Sequence, residues 1–201
     1  MKKLLALFLA FMLLFCCALS EETAEEEPLV AGEGEILLHG YISPYKDYYI
    51  GVPAEWAIMG AGSTNENLSS ASEMLEDLNV YDFVRRLNAE NDALVCLSED
   101  GASGLILVYG PCEGVTNDAM VKALPEIQAA IKGAFSGVTF KDDCGAYEFK
   151  SLAEILNINM TYKGRDFIMY YVVNGTDMYI FTFFGTDSQI AQTILTTFVL
   201  K

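Results

Sequence analysis

Apolar and polar positions divide the chain into three regimes. Leu4 to Cys17 is an unbroken apolar run. Glu21 to Gly34 has no hydrophobic period and carries Pro28, Gly32 and Gly34 among its acids. From Glu35 onward, strand and helix periods take turns. Ile36-Leu37-Leu38 predicts a short strand, and Tyr41 to Lys46, with Ser43-Pro44, predicts a turn-containing link. Asp47 to Val52 alternates strictly. Tyr48, Ile50 and Val52 share one face, while Asp47, Tyr49 and Gly51 share the other, as in a half-buried strand. Pro53 ends it, and Trp56 follows in an irregular segment.

Asn65 to Asn91 has helical character. Ser69 or Ser70 is placed to cap a turn carrying Met74, Leu75 and Leu78, and a second short helix after Asn79 carries Tyr81, Val84, Arg85 and Leu87. Asp92 to Leu97 and Leu105 to Tyr109 are apolar strands. The glycine-bearing stretch from Glu99 to Gly104 joins them as a hairpin. Thr116 or Asn117 caps the longest helix, Asp118 to Phe135, whose apolar residues recur at spacings of three and four. Pro125 should kink or divide it, and Gly137 should stop it. The remainder is β-rich. One strand covers Val138 to Asp142, and one or two lie within Ala146 to Tyr162. Phe167 to Val173 and Met178 to Phe184 are joined by an Asn174-Gly175 turn. Asp187 to Phe198 closes the chain as a helix with Asp187 or Ser188 near its cap. Helices interrupting antiparallel hairpins define an α+β class: one mostly antiparallel sheet covered by helices.

The first regime reads as an address. Met1-Lys2-Lys3 is a positive lead-in, and Leu4–Cys17 is short for a bilayer span. Ala18-Leu19-Ser20 presents small residues for cleavage after Ser20. Residues 1–20 are therefore expected to be a secretory signal peptide, residues 21–34 an acidic flexible linker, and residues 35–201 a single domain. An uncleaved anchor is the alternative. A lipoprotein at Cys16 or Cys17 is another, though Phe15 departs from the small residues such a site wants. The expected destination is secreted or cell-surface associated.

Charge sharpens this picture. Twenty-eight acids face twelve bases. Cleavage removes Lys2 and Lys3, leaving ten bases against the same twenty-eight acids, a net charge of −18. Such a field repels phosphate backbones and anionic lipid, so nucleic-acid binding and membrane insertion after cleavage are not expected. The mature protein is expected to be a monomer. Cys96, Cys112 and Cys144 remain, an odd number for an oxidising compartment. Cys96 lies in the apolar run Ala93–Leu97 and reads as a buried small hydrophobe. Cys112 and Cys144 sit in turn-like contexts, and both a Cys112–Cys144 disulfide and two free thiols stay open.

The order of these motifs resembles a known family. A strand ending in Pro with Trp shortly after it appears as Tyr48-Tyr49-Ile50-Gly51-Val52-Pro53-Ala54-Glu55-Trp56. A Pro-containing helix and further strands follow. Then come two strands joined by Asn174-Gly175, the second reading Tyr179-Ile180-Phe181-Thr182-Phe183, and a closing helix ending in Thr196-Thr197-Phe198. Over about residues 41–200 the chain resembles the PsbP/Mog1/DcrB-like superfamily, particularly its small secreted versions in Gram-positive bacteria. The resemblance implies a mostly antiparallel sheet flanked by helices on both faces, an α/β/α sandwich. It implies accessory or binding roles and carries over no catalytic residue.

Chemistry-bearing residues are few. His39 is the only histidine, at a strand end beside Gly40, so neither a histidine-based triad nor a histidine metal cluster is expected. Ser43-Pro44-Tyr45-Lys46 has Ser-x-x-Lys spacing, but it abuts a strand and lacks the partner motifs of a serine acyl enzyme. Glu99-Asp100 and Asp142-Asp143 lack the register of a calcium loop and read as solvated turns. No cofactor motif is present. Aromatics are the better lead. Tyr41 and Tyr45, in the link, and Tyr49, on the polar face of its strand, are the expected exposed ones, a candidate patch for protein or glycan contact. The expected function is a non-enzymatic binding or accessory domain. An unrecognised hydrolase and a carrier of a small apolar ligand are the alternatives. Mass spectrometry of the exported protein should find Glu21 as the first residue; a lipidated Cys17 at the N-terminus would contradict cleavage after Ser20.

Overall fold

A computed structural model describes residues 28–29, 38–43, 48–59, 93–98, 102–150 and 153–200. Five strands come first: β1 (Pro28–Leu29), β2 (Leu38–Ile42), β3 (Tyr48–Pro53), β4 (Ala57–Met59) and β5 (Ala93–Leu97). Then come β6 (Gly104–Pro111), the helices α1 (Asn117–Lys122) and α2 (Leu124–Ala134), and the strands β7 (Thr139–Phe140), β8 (Gly145–Phe149), β9 (Ala153–Tyr162), β10 (Arg165–Asn174) and β11 (Asp177–Phe184). Helix α3 (Ser188–Thr197) and β12 (Val199–Leu200) finish the chain. The expected signal peptide, the helices expected within Asn65–Asn91 and most of the expected acidic linker lie outside the described residues. Pro28–Leu29, inside the expected linker, pair with His39 and Leu38. Proline lacks a ladder donor, so it suits the edge position that β1 occupies.

Chain contacts group the residues into two compact units. One is Ile106–Gly185, and the other draws on the described residues up to Leu105 and from Thr186 onward. In the first, the strand order is β6-β11-β10-β9-β7, with β8 also pairing with β9. Strand β10 is antiparallel to both β9 and β11. Its interior is buried on both faces, and so is that of β11. Two tight turns set these registers. Gly175, at φ +61°, opens the two-residue loop between Asn174 and Asp177. Lys163 and Gly164, at φ +49° and +76°, form the loop between Tyr162 and Arg165. Two consecutive positive φ values are what a type I′ hairpin requires.

Pro125 divides the expected long helix. Helix α1 ends at Ala123, which also serves as the N-cap of α2, and Pro125 occupies the first turn of α2. Its missing N–H costs nothing there. Thr116 caps α1 by accepting the Ala119 N–H. Asn117 then holds α1 to the sheet. Its Oδ1 accepts the Val173 N–H at 2.7 Å and its Nδ2 donates to the Val173 carbonyl at 3.1 Å. The amide side chain thus stands in for a neighbouring strand.

In the second unit the strand order is β1-β2-β3-β12, and β4 pairs with β5. Strand β3 is antiparallel to β2 on one side and β12 on the other. Tyr48, Ile50 and Val52 are 0% exposed, so the alternation read from sequence selects the buried face correctly. Tyr48 stacks at a tilt on Phe198, 5.6 Å between ring centres. Helix α3 packs on β3 and buries Ala191, Ile194 and Leu195. Where pairing with β12 stops, Thr197 extends it: Gly51 N–H donates to Thr197 Oγ1 at 2.7 Å, and that hydroxyl donates onward to the Ile194 carbonyl at 2.6 Å. Each such bond contributes about 1 kcal/mol net.

Two expectations are corrected here, and one open alternative is decided. Tyr41 lies in β2 rather than in a link. Val138–Asp142 shortens to the two-residue β7, and β4 and β12 were not foreseen. The open Cys112–Cys144 pairing is not formed: both thiols are free. Cys112 follows β6, its N–H donating to the Thr176 carbonyl, whereas Cys144 lies against β9. Strands β11 and β10 intervene, so at least three strand spacings, roughly 14 Å, separate them. A disulfide tolerates a Cα separation of about 7 Å at most. Peptide mapping after alkylation should recover Cys112 and Cys144 separately labelled; a linked peptide pair would contradict this strand order.

Candidate functional site

Two places on the described surface gather side chains that the core does not need. The first is one face of the β12-β3-β2 ladder. Val199 lies opposite Tyr49, and Tyr49 lies opposite Ile42. Directly opposed residues on paired strands point the same way. The three therefore form one row across three strands. Ile42 and Val199 are the exposed large hydrophobics among the described residues, at 50% and 47%.

The next row explains how Tyr49 sits. Gly40 faces Gly51 across β2 and β3. A methyl at Gly40 would stand 2.6 Å from Tyr49 Cε2 and 2.8 Å from its hydroxyl oxygen. Only glycine lets the ring lie down over the β2 backbone. Tyr49 is consequently half-buried, with its hydroxyl oxygen turned away from solvent. Leu38 and Thr197 close in on Gly51. Both glycines are buried beneath these side chains, and Ile42 and Val199 stand exposed to either side of Tyr49.

The expected tyrosine patch is therefore redrawn. Tyr41 opposes Ile50 and belongs to the other face, where its ring lies 6.1 Å from that of Tyr48. Tyr41 and Tyr49 do not share a surface, because their positions on paired strands have opposite parity. Tyr45 lies outside the described residues. Ile42 and Val199 were missed because neither has a local signal. Ile42 was read as part of a link, and Val199 follows a helix. Only the register shows that they flank Tyr49.

The second place is a notch at the outer edge of β9. Strand β7 pairs with Met160 and Thr161, and β8 pairs with residues 153–157. Between these stretches, the 141–144 turn replaces a partner strand. Lys141 N–H donates to the Asn159 carbonyl, and Asn159 N–H donates to Cys144 Sγ at 3.2 Å. Asp143 reaches two amides. Asn157 Nδ2 donates to its main-chain carbonyl at 3.0 Å, and Asn159 Nδ2 donates to its carboxylate Oδ2. Both asparagines are 7% exposed. Each keeps a buried Oδ1 with no hydrogen-bond partner, a cost of about 1–3 kcal/mol apiece. The Asp142-Asp143 pair, read as a solvated turn, thus has one member engaged with buried amides.

Ionisation around the notch follows from burial and neighbours. Burial pushes the Cys144 thiol up, against the lowering effect of the Asn159 N–H, and the Asp143 charge adds to the rise. Burial pushes Tyr147 up as well. Lys141 and Thr161 both donate to Asp166, at 2.7 and 2.6 Å, and hold its carboxyl below the usual range. A depressed carboxyl contributes stability above its unfolded pKa and loses it as pH falls through the folded one. With both partners about half exposed, that contribution is small.

The other sequence candidates stay apart. His39 lies in β2, half-buried, and Ser43 is buried with its N–H on the Tyr48 carbonyl. Lys46, Glu99 and Asp100 lie outside the described residues. Among the described residues, no group of three or more His, Cys, Asp or Glu is placed to hold a metal ion, and no helix is long and apolar enough to cross a membrane.

No known family model matches the sequence, and no curated protein matches it. Solved structures do. The chain resembles cyanobacterial PsbP (CyanoP) from Synechocystis sp. PCC 6803 with a TM-score of 0.54 at 11% identity, covering 86% of this chain and 98% of that one. A crystal structure from Bacteroides thetaiotaomicron VPI-5482 matches with a TM-score of 0.43 at 12% identity, covering 81% of this chain and 48% of that one. The fold is PsbP-like, of the α+β class with antiparallel sheets and helices.

Proposed function

We propose that this chain is an exported, non-enzymatic binding or accessory module that holds a protein partner on its Val199–Tyr49–Ile42 row. The observation that carries this reading is the alignment of two half-exposed aliphatic side chains with a tyrosine across three paired strands. Isolated exposed hydrophobics are ordinary on any surface, but aligned ones offer a contact face. The chemistry of the row favours protein over glycan. Sugars ask for an open aromatic plate with polar groups at its rim. Tyr49 has its hydroxyl oxygen withdrawn, and its neighbours are aliphatic. The excess of acids over bases favours a partner with a basic rim around its apolar anchor.

Export supports the same reading, since the lead segment has the form of a cleavable signal. A double variant, Ile42→Lys with Val199→Lys, places charge on the row without touching buried residues. The variant should keep the wild-type melting temperature within about 2 °C. Recovery of the partner that co-purifies stoichiometrically from the native cell envelope or medium should fall at least tenfold. Undiminished recovery, or recovery of glycan alone, would contradict the proposal.

A further inference from the structure

The notch on β9 holds two buried amide oxygens with no donor, and their orientation is forced. The Asp143 carbonyl and carboxylate oxygens can only accept, so Asn157 and Asn159 must turn Nδ2 toward Asp143. Each Oδ1 is then left as an acceptor, and no described residue donates to it. Residues 157 and 159 point to the same face of the strand, roughly 6.7 Å apart. Two acceptors on one face of a strand call for a group that carries several donors.

We infer that this notch binds a primary ammonium group. An ammonium supplies three donors and no acceptor, matching two amide oxygens and the Asp143 carboxylate. The surroundings suit a cation. Tyr170 stands directly opposite Asn157 on β10. The rings of Tyr147 and Phe183 lie 5.1 and 6.2 Å from the Tyr170 ring. Aromatic faces attract ammonium, most strongly where water is excluded. Asp143 is exposed, so the 141–144 turn is the side on which the notch meets solvent. The site is independent of the apolar row, and its test does not depend on a protein partner.

The test is a titration followed through the side-chain amide resonances of Asn157 and Asn159. The probes are n-butylammonium, N-acetyl-lysine amide, tetramethylammonium and calcium ion. Butylammonium should shift both resonances saturably, while tetramethylammonium, which has the charge but no N–H, should not. Tighter binding of the lysine derivative would identify the source as a protein side chain. Equal or tighter binding of butylammonium would identify a free amine. Asn159→Leu should weaken binding at least tenfold while preserving the backbone spectrum. Asp143→Asn, which removes the charge at an exposed position, should do the same and serves if Asn159→Leu does not fold. Equal shifts with tetramethylammonium, a response to calcium alone, or no response to any probe would overturn the inference.

Discussion

Strand β3 is paired on both sides, and that constraint decides what the second unit can present. Its partners β2 and β12 lock it in register at Gly40↔Gly51 and Val199↔Tyr49. Because side chains alternate with a period of two, a slip of one residue would expose Tyr48, Ile50 and Val52 together. Burial of those three residues therefore holds the register. The same register aligns Ile42, Tyr49 and Val199 on the opposite face. Thr197 reinforces it at the point where helix α3 meets the sheet. The candidate surface is thus a by-product of core packing: the residues outside the core are ordered by those inside it.

Much of the fold was legible because its signals are local. Alternation at Tyr48–Val52, the glycine turn after Asn174 and the proline at 125 each act within a few residues. Their elements formed where the pattern placed them. The resemblance to PsbP-like proteins rested on the order of such signals, and the structural match supports that fold. What was not legible depends on distant pairing. Strand β12 has two residues and exists only because β3 offers an edge. Tyr41, in an expected link, and Tyr49, on the polar face of an expected strand, both read as exposed, yet strand parity sends them to opposite faces. Cys112 and Cys144 both looked turn-like, and only the strand order shows how far apart they lie.

The two candidate sites differ in kind. The row on β12-β3-β2 is apolar and shaped by a glycine pair. The β9 notch is polar, partly enclosed and shaped by a missing strand. There the 141–144 turn supplies a carbonyl partner, a thiol and a carboxylate where a ladder would supply backbone groups. A turn can satisfy the outward-facing donors of β9 without satisfying the acceptors of its side chains. Two buried amide oxygens are the residue of that mismatch, and buried polar groups without partners are uncommon enough to call for an explanation.

The register of β3 bears most directly on this account, and it can be read without knowing any partner. Nuclear Overhauser effects from the Tyr49 ring in the full chain measure it. Contacts from that ring to the Gly40 α-protons and to the methyl groups of Ile42 and Val199 are the predicted result. Contacts from the Tyr49 ring to the Tyr41 ring, with none to Val199, would place the tyrosines on one face and contradict the account.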